Sequence, residues 1–189
     1  MHAGCSRRTA LAALAAGAAA PAWVAAQGTA APPEVAAELP GARLLGQGRL
    51  TYMMLSIYRA RLWVADGFDA AQFERHPLAL ELVYARSLNG KMIAQRSLDE
   101  MKRAGGIGDT QAARWLAAMT GLFPDVAEGD RLTGLHRPGQ AVAFFSNARA
   151  AGEVRDAEFA RRFIGIWLAP ATSQPNLRQQ LIGSMPAAS

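Results

Sequence analysis

The chain is 189 residues long, 51% hydrophobic and 19% charged, with a formal net charge of +5 at pH 7. This length predicts one domain with a sizeable core. The cations are interspersed with acids, whereas nucleic-acid-binding proteins concentrate theirs on one face, so the charge does not favour a nucleic-acid partner. The single cysteine, Cys5, lies near the N-terminus, which excludes a disulfide, a cysteine metal ligand and a cysteine nucleophile in the rest of the chain.

Residues 1–26 are typical of an export signal peptide. Arg7 and Arg8 precede an apolar run that Pro21 ends, and small residues up to Ala26 offer a cleavage site. The arginine pair resembles a twin-arginine signal, and the general secretory route stays open. The run is shorter than the roughly 20 residues that a membrane-spanning helix needs. We therefore expect an exported, periplasmic protein without a membrane span, and removal of the two arginines lowers the net charge from +5 to +3.

The stretch of residues 45–64 organises the rest of the chain. From Ile57 the even-numbered side chains, Tyr58 to Val64, are apolar, and the odd-numbered ones include two arginines. This period of two predicts a β-strand covered on one face, reached through a hairpin or a bent strand. Gly46 and Gly48 predict a bulge, a bend or a close approach by another backbone or a ligand.

Residues 27–43 are predicted to form a leader with a short first strand at 34–39, residues 44–183 the folded domain, and residues 184–189 a tail. Periodicity, caps and turn residues predict the other elements of the domain. The further strands are Leu78–Tyr84, Arg131–Arg137, Ala141–Ser146 and a short one at 153–155. The helical segments are a turn within 68–76 (capped by Asp69), helices at 90–104 (capped by Asn89) and 109–122 (capped by Asp109), a helix capped by Asp156, and a last helix from Pro175 capped by Ser173 and closed by Gly183. This order indicates an α+β domain in which an antiparallel β-sheet carries a helical layer on one face.

Several different short motifs follow one another along the domain. They are Gly46-Gln47-Gly48-Arg49, Ile57-Tyr58, Leu98-Asp99-Glu100-Met101, Phe123-Pro124-Asp125-Val126, Gly129-Asp130, Phe144-Phe145, and Phe163 to Leu168 followed by Leu181-Ile182-Gly183. In this order and spacing the sequence resembles the bacterial chalcone isomerase-like family over about residues 44–183. The resemblance implies a chalcone-isomerase fold that encloses an apolar cleft.

The same resemblance implies several possible functions, because plant members of the fold include true isomerases that close a chalcone to a flavanone, fatty-acid-binding proteins and non-catalytic accessory proteins. Arg49 matches the strand arginine that assists the reacting oxygen in the isomerases and holds a carboxylate in the fatty-acid binders. A guanidinium on a half-buried strand can bind one carboxylate through two hydrogen bonds. The alternative is a solvated or structurally paired arginine.

Other positions depart from the isomerase pattern. Met53 stands where an isomerase carries a threonine, and Ile93 and Glu100 stand where tyrosine and asparagine are expected. Losing the threonine and tyrosine hydroxyls removes donors for a developing negative charge, and Glu100 beside an anion is unfavourable unless it pairs with a cation, so true chalcone isomerase activity is disfavoured. The histidines lack metal-ligand spacing and no serine lies in a nucleophile elbow, so the sequence indicates no metal, no cofactor and no hydrolase site.

Aromatic side chains complete the candidate site. Alternation places Tyr58 and Tyr84 on the apolar sides of their strands, where a hydroxyl can support an anion at Arg49 or make a structural hydrogen bond. Phe163 belongs to a helical aromatic stripe that is either core or cleft lining. We interpret the chain as a non-catalytic binder of a fatty or aromatic acid, held at Arg49 with its tail among Met53, Leu55 and Phe163. The rivals are an isomerase or intramolecular lyase with a non-chalcone substrate, and an accessory protein whose cleft is closed.

Overall fold

The computed structural model describes residues 30–183. The predicted signal peptide at 1–26 and the tail at 184–189 lie outside the described residues. Six strands form one antiparallel sheet in which spatial order follows chain order. They are β1 Arg43–Tyr52, β2 Leu55–Val64, β3 Leu78–Tyr84, β4 Arg131–Arg137, β5 Ala141–Ser146 and β6 Arg149–Val154. The helices are α1 Pro33–Glu38, α2 Gly90–Arg103, α3 Asp109–Leu122, α4 Ala157–Leu168 and α5 Pro175–Leu181, with a 3₁₀ helix at Ala70–Arg75.

The sheet buries both faces. The larger core contains Leu62 and Leu80 from the sheet and Trp115, Phe159 and other apolar side chains from α2 to α5. The opposite face carries a smaller core around Trp63. This arrangement confirms the α+β prediction and the helical layer, and it adds a cover on the second face.

That cover is α1, so the predicted strand at 34–39 is wrong. Pro33 occupies the first turn of the helix, where its fixed φ is favourable. Val35 is fully buried in the smaller core, and the Glu34 carboxylate accepts hydrogen bonds from Arg131 and from the Thr133 hydroxyl. The helix is held to the sheet by these long-range contacts, which a local sequence pattern does not contain.

β1 and β2 form a hairpin rather than one bent strand. Met53 and Met54 make the turn with φ of 47° and 65°. A register shift lies between Leu44 and Gly46, which confirms the predicted bulge. A Cβ on Gly46 would lie 2.3 Å from the Gln180 backbone oxygen, so α5 approaches β1 here as closely as glycine allows.

Most predicted caps are confirmed. The Asn89 side chain accepts from the Lys91 amide at the start of α2, and the Asp156 side chain accepts from two amides at the start of α4. Asp109 does not cap α3, because it is the first helical residue and the N-cap residue is Gly108. Ser173 does not cap α5: the N-cap residue is Gln174, whose backbone N–H donates to the Thr172 hydroxyl. β6 is longer than the predicted 153–155 because it pairs along β5 from Arg149 onward. Within residues 30–183, no helix combines the length and apolar character needed to cross a membrane.

Candidate functional site

A cavity of about 440 Å³ lies between the helix-facing side of the sheet and helices α2 and α4. Most of its lining is apolar. Every strand except β6 contributes lining residues, as do α2 and α4. The apolar side chains include Leu50, Ile57, Leu80, Leu82, Met92, Ile93, Leu132, Phe144, Phe163, Ile166 and Trp167. The polar ones include Thr51, Tyr58, Tyr84, Arg96, Ser97 and Glu100.

The cavity reaches the surface between the β1–β2 hairpin and the start of α2. Tyr52 and Met92 both line it, yet their exposed fractions are 66% and 68%. The cavity is therefore open to solvent at this end.

Two tyrosines supply the hydroxyl groups of the inner cavity. Tyr58 on β2 and Tyr84 on β3 are direct cross-strand partners, with ring centroids 5.9 Å apart in an edge-to-face arrangement. The Trp167 indole N–H donates to the Tyr58 hydroxyl oxygen at 3.0 Å. The Tyr84 hydroxyl makes no hydrogen bond with any residue in 30–183. Both hydroxyl protons are therefore available to a ligand.

Both tyrosines keep those protons at neutral pH. Burial raises the pKa of Tyr58 to about 12; the hydrogen bond from Trp167 opposes this rise, Glu100 adds to it and Arg96 opposes it. Burial also raises the pKa of Tyr84 strongly, with a further contribution from Tyr58. A neutral phenol is a hydrogen-bond donor, so this part of the cavity suits an acceptor such as a carboxylate oxygen.

A charged group lies at the α2 wall. Arg96 donates to the Glu100 carboxylate one helical turn further on, and Arg103 Nε lies 3.5 Å from the other Glu100 oxygen. The Glu100 side chain is 9% exposed and that of Arg96 is 69% exposed. Because two guanidinium groups surround one carboxylate, the cluster carries one positive charge in excess. The nearby Ser97 hydroxyl is already used, since it donates to the Ile93 carbonyl at 2.9 Å.

A family model described as chalcone isomerase-like matches residues 24–183. The chain belongs to the chalcone isomerase-like family. The resemblance predicted from the motifs is thereby confirmed. Among curated proteins, this chalcone isomerase-like chain is 31% identical over 140 residues to an uncharacterized protein of Haemophilus influenzae, covering 74% of this chain and 67% of that protein.

Among solved structures, the chain is similar to a fatty-acid binding protein of Arabidopsis thaliana. The TM-score is 0.61 at 14% sequence identity, over 82% of this chain and 95% of that one. At this identity the likeness shows the fold, and it confirms the fold predicted from the motifs.

The chalcone isomerase-like fold brings together three of the five predicted site residues. Tyr58, Tyr84 and Phe163 all line the cavity. Their roles toward a ligand remain predictions.

Arg49 and Met53 lie elsewhere. Arg49 is exposed and pairs across the hairpin with Arg59, whereas its neighbour Leu50 pairs with Tyr58 and lines the cavity. Alternation along β1 therefore directs Arg49 to the opposite face of the sheet. Met53 is 78% exposed in the hairpin turn.

Strict alternation along one strand would place Arg49, Thr51 and Met53 on the same face, and two features of β1 prevent this. A register shift between Leu50 and Thr51 brings both residues to the cavity, and the chain reverses at Met53. Met53 cannot therefore be the cavity floor or replace a cavity threonine. Thr51 supplies a hydroxyl-bearing side chain to the lining instead, so the argument from Met53 against isomerase chemistry does not hold.

Sequence reasoning missed Arg96. The available signal was its spacing of four residues from Glu100 on a helix whose start Asn89 marks, which places both side chains on one helical face. Ile93 and Glu100, identified as departures from the isomerase pattern, do line the cavity. Within residues 30–183, no three His, Cys, Asp or Glu side chains are grouped so as to hold a metal ion.

Proposed function

We propose that this protein binds a fatty or aromatic acid in the cavity between the sheet and helices α2 and α4, without carrying out chemistry on it. The observation that carries the proposal is an apolar cavity of about 440 Å³ in which the Tyr58 and Tyr84 hydroxyls stand free to donate. Small-molecule sites in proteins commonly have roughly 300 to 1,000 Å³ and combine apolar walls with a few convergent polar groups. The fold is shared with a fatty-acid binding protein, which supports the same conclusion.

The apolar walls would supply most of the affinity. Each methylene transferred from water into the cavity contributes about 0.8 kcal/mol. The inner walls include Leu80, Leu82, Leu132, Phe144 and Phe163, which are all buried and present no charge to the ligand. An alkyl chain or an aromatic ring fits such a surface.

The head group would lie at the two tyrosines. Since the Tyr58 hydroxyl oxygen accepts a hydrogen bond from Trp167, one of its lone pairs is used and its proton remains for the ligand. The raised pKa values keep both phenols neutral, so they donate to a carboxylate and do not repel it. Hydrogen bonds to charged groups contribute about 1.5 to 3 kcal/mol each.

Arg96, not Arg49, would supply the positive charge. It lines the same cavity as Tyr58 and is close enough to affect the pKa of that phenol. When Arg96 turns from Glu100 to a bound carboxylate, Arg103 stays beside Glu100. The acid then neutralises the excess positive charge of the cluster.

We also propose that the protein works in the periplasm. The support is the arginine pair Arg7-Arg8, the short apolar run after it and the small residues that end at Ala26. N-terminal sequencing of protein from the periplasmic fraction should begin at Gln27. Full-length protein confined to the cytoplasm would contradict this location.

An isomerase or intramolecular lyase with a non-chalcone substrate is the second candidate. Thr51, Tyr58 and Arg96 line one cavity, and such donors can stabilise a developing oxyanion. A spectrophotometric assay of chalcone closure, run with wild type and Tyr58→Phe, tests it. Fast closure that depends on Tyr58 would replace binding by catalysis as the function.

The decisive test of the binding proposal begins with the native protein. Protein purified from the periplasm of the cells that naturally produce it is analysed by native mass spectrometry and by solvent extraction. The expected result is a bound fatty or aromatic acid in substoichiometric or full amount. Absence of any such acid, together with no binding of added long-chain acids, would contradict the proposal and favour an accessory protein.

A further inference from the structure

The large hydrophobic side chains that are exposed within residues 30–183 are gathered at one place. They are Tyr52, Met53, Met54 and Leu55 at the end of the β1–β2 hairpin, and Met92 at the start of α2. We name these five residues the apolar tip. Met54 is 95% exposed and Met53 is 78% exposed. Because Tyr52 and Met92 also line the cavity, the apolar tip lies at its mouth.

The turn at the apolar tip is made by two methionines, a residue type that disfavours the backbone conformation of the turn. Met53 and Met54 have φ of 47° and 65°, the left-handed region that two-residue hairpin turns fill with Asn-Gly. Side chains other than glycine, asparagine or aspartate are strained there. Neither methionine side chain is buried, so packing does not offset the backbone strain. The pair therefore costs folding stability, which indicates a role for these side chains outside the fold.

The hairpin is also basic. Residues 40–65 contain no aspartate or glutamate and include four arginines. Arg61 pairs with Glu81 and Arg43 with Asp66, whereas Arg49 and Arg59 have no acidic partner within residues 30–183. These two arginines face each other across the strands, about 10 Å from Tyr52 at roughly 3.3 Å per residue.

The other side of the cavity mouth, at the start of α2, also combines a basic residue with an exposed apolar side chain. Lys91 precedes Met92, and the nearby Asp125 carboxylate is occupied by the Asn89 amide group and the Gly90 N–H. Positive charge beside exposed apolar side chains is the combination that binds anionic bilayer surfaces. A protein partner is less well matched, because a specific interface needs roughly 1,000 Å² or more and about 20 to 30 residues on each side, whereas the apolar tip has five residues.

We propose that the apolar tip inserts into the surface of a bilayer that contains anionic phospholipids, with Arg49 and Arg59 among the head groups and the cavity mouth against the membrane. The docking does not depend on what the cavity binds. It places the mouth where an amphiphilic molecule can pass between bilayer and cavity without crossing water.

The test measures co-sedimentation with two kinds of vesicle, phosphatidylcholine alone and an equal mixture of phosphatidylcholine and phosphatidylglycerol. The key variant is Met53→Asn with Met54→Gly, which removes the apolar side chains and gives the turn its preferred residues. We expect wild type to bind the mixed vesicles, and this variant to bind at least tenfold more weakly because it loses the inserted side chains. Its thermal midpoint should equal or exceed that of wild type, so misfolding cannot explain the loss.

A second variant, Arg49→Gln with Arg59→Gln, tests the charge. Each basic residue at an anionic surface strengthens binding about fivefold, so this variant should lose on the order of tenfold or more on mixed vesicles and change little on phosphatidylcholine alone. Wild type that binds neither vesicle, or a Met53→Asn, Met54→Gly variant that binds as wild type does, would overturn the proposal. If wild type forms a dimer and binds no vesicles, and the Met53→Asn, Met54→Gly variant is monomeric, the apolar tip would instead be an interface with a second copy of the chain.

Discussion

The Trp167 indole donates a hydrogen bond to the Tyr58 hydroxyl oxygen at 3.0 Å and so joins α4 to β2 at the cavity wall. The bond fixes the position of the phenol and leaves its proton directed to other acceptors. Tyr84, the cross-strand partner of Tyr58, has a hydroxyl that makes no hydrogen bond within residues 30–183. Tyr58 therefore has a structural partner in Trp167 as well as a free hydroxyl proton, whereas Tyr84 has a free hydroxyl proton alone.

Tyr58→Phe should lower the free energy of unfolding more than Tyr84→Phe. Removing the Tyr58 hydroxyl leaves the Trp167 N–H without its acceptor at a largely buried site, which costs about 1 to 3 kcal/mol. Tyr84→Phe removes a hydroxyl without a protein partner and should cost less than about 1 kcal/mol. Urea unfolding of both variants measures the difference. Equal losses would show that the bond to Trp167 contributes nothing specific.

Stability should fall at alkaline pH through the same two tyrosines. Their pKa values are raised in the folded protein, for Tyr58 to about 12. The unfolded state therefore releases these protons first, and stability that is fully present below the ordinary tyrosine pKa of about 10 is lost as pH rises above it. Urea unfolding between neutral pH and pH 11 should show this decline. A variant with both tyrosines replaced by phenylalanine should show a flatter profile, and an unchanged slope would contradict the assignment.

Gly46→Ala should destabilise the protein more than Gly48→Ala. A Cβ on Gly46 meets backbone atoms of Gln180 and Leu181 at 2.3 and 2.5 Å, whereas one on Gly48 meets side-chain atoms of Gln180 and Leu177 at 2.3 and 2.6 Å. Side chains can move aside and the backbone of α5 cannot do so locally. Overpacking of this kind costs about 1 to 3 kcal/mol, and Gly46→Ala should lie at the upper end. Thermal unfolding of both variants decides the order, and the reverse order would contradict the close docking of α5.

Glu81→Leu should be among the most damaging single changes outside the cavity. Glu81 is fully buried and accepts from Arg61 at 2.5 Å and from the Trp63 indole at 2.8 Å. Its removal leaves the largely buried Arg61 guanidinium uncompensated, at a cost of about 3 to 5 kcal/mol. Glu38→Gln is the control, because its pair with Arg137 is exposed and such pairs contribute at most about 1 kcal/mol. Equal effects in denaturant unfolding would rule out this role for Glu81.

The elements that were predicted correctly have local causes. The alternation from Tyr58 to Val64 and the caps Asn89 and Asp156 are contained in short stretches of sequence. The larger errors concern long-range contacts or an unusual turn. α1 is a helix held by Arg131 and Thr133, about a hundred residues away.

A local sequence pattern also could not predict which face of the sheet Arg49 occupies. Two methionines with positive φ form the hairpin turn without glycine or asparagine, and a register shift follows Leu50. Together they decide which β1 residues face the cavity. Family motifs therefore predicted the fold, strand alternation predicted the two tyrosines, and geometry was needed to replace Arg49 by Arg96 as the candidate cation.

The measurement that tests the central claim most directly is calorimetry with a long-chain acid and the alcohol of the same chain length. The account predicts that wild type binds the acid more tightly than the alcohol, and that Tyr84→Phe weakens the acid about 10- to 150-fold, as expected for a charge-assisted hydrogen bond, while affecting the alcohol far less. Arg96→Gln should weaken the acid about two- to fivefold, and Arg49→Gln, the matched control on the opposite face, should change neither ligand. Equal affinities of wild type for acid and alcohol, or loss of acid binding in Arg49→Gln but not in Tyr84→Phe, would contradict the account.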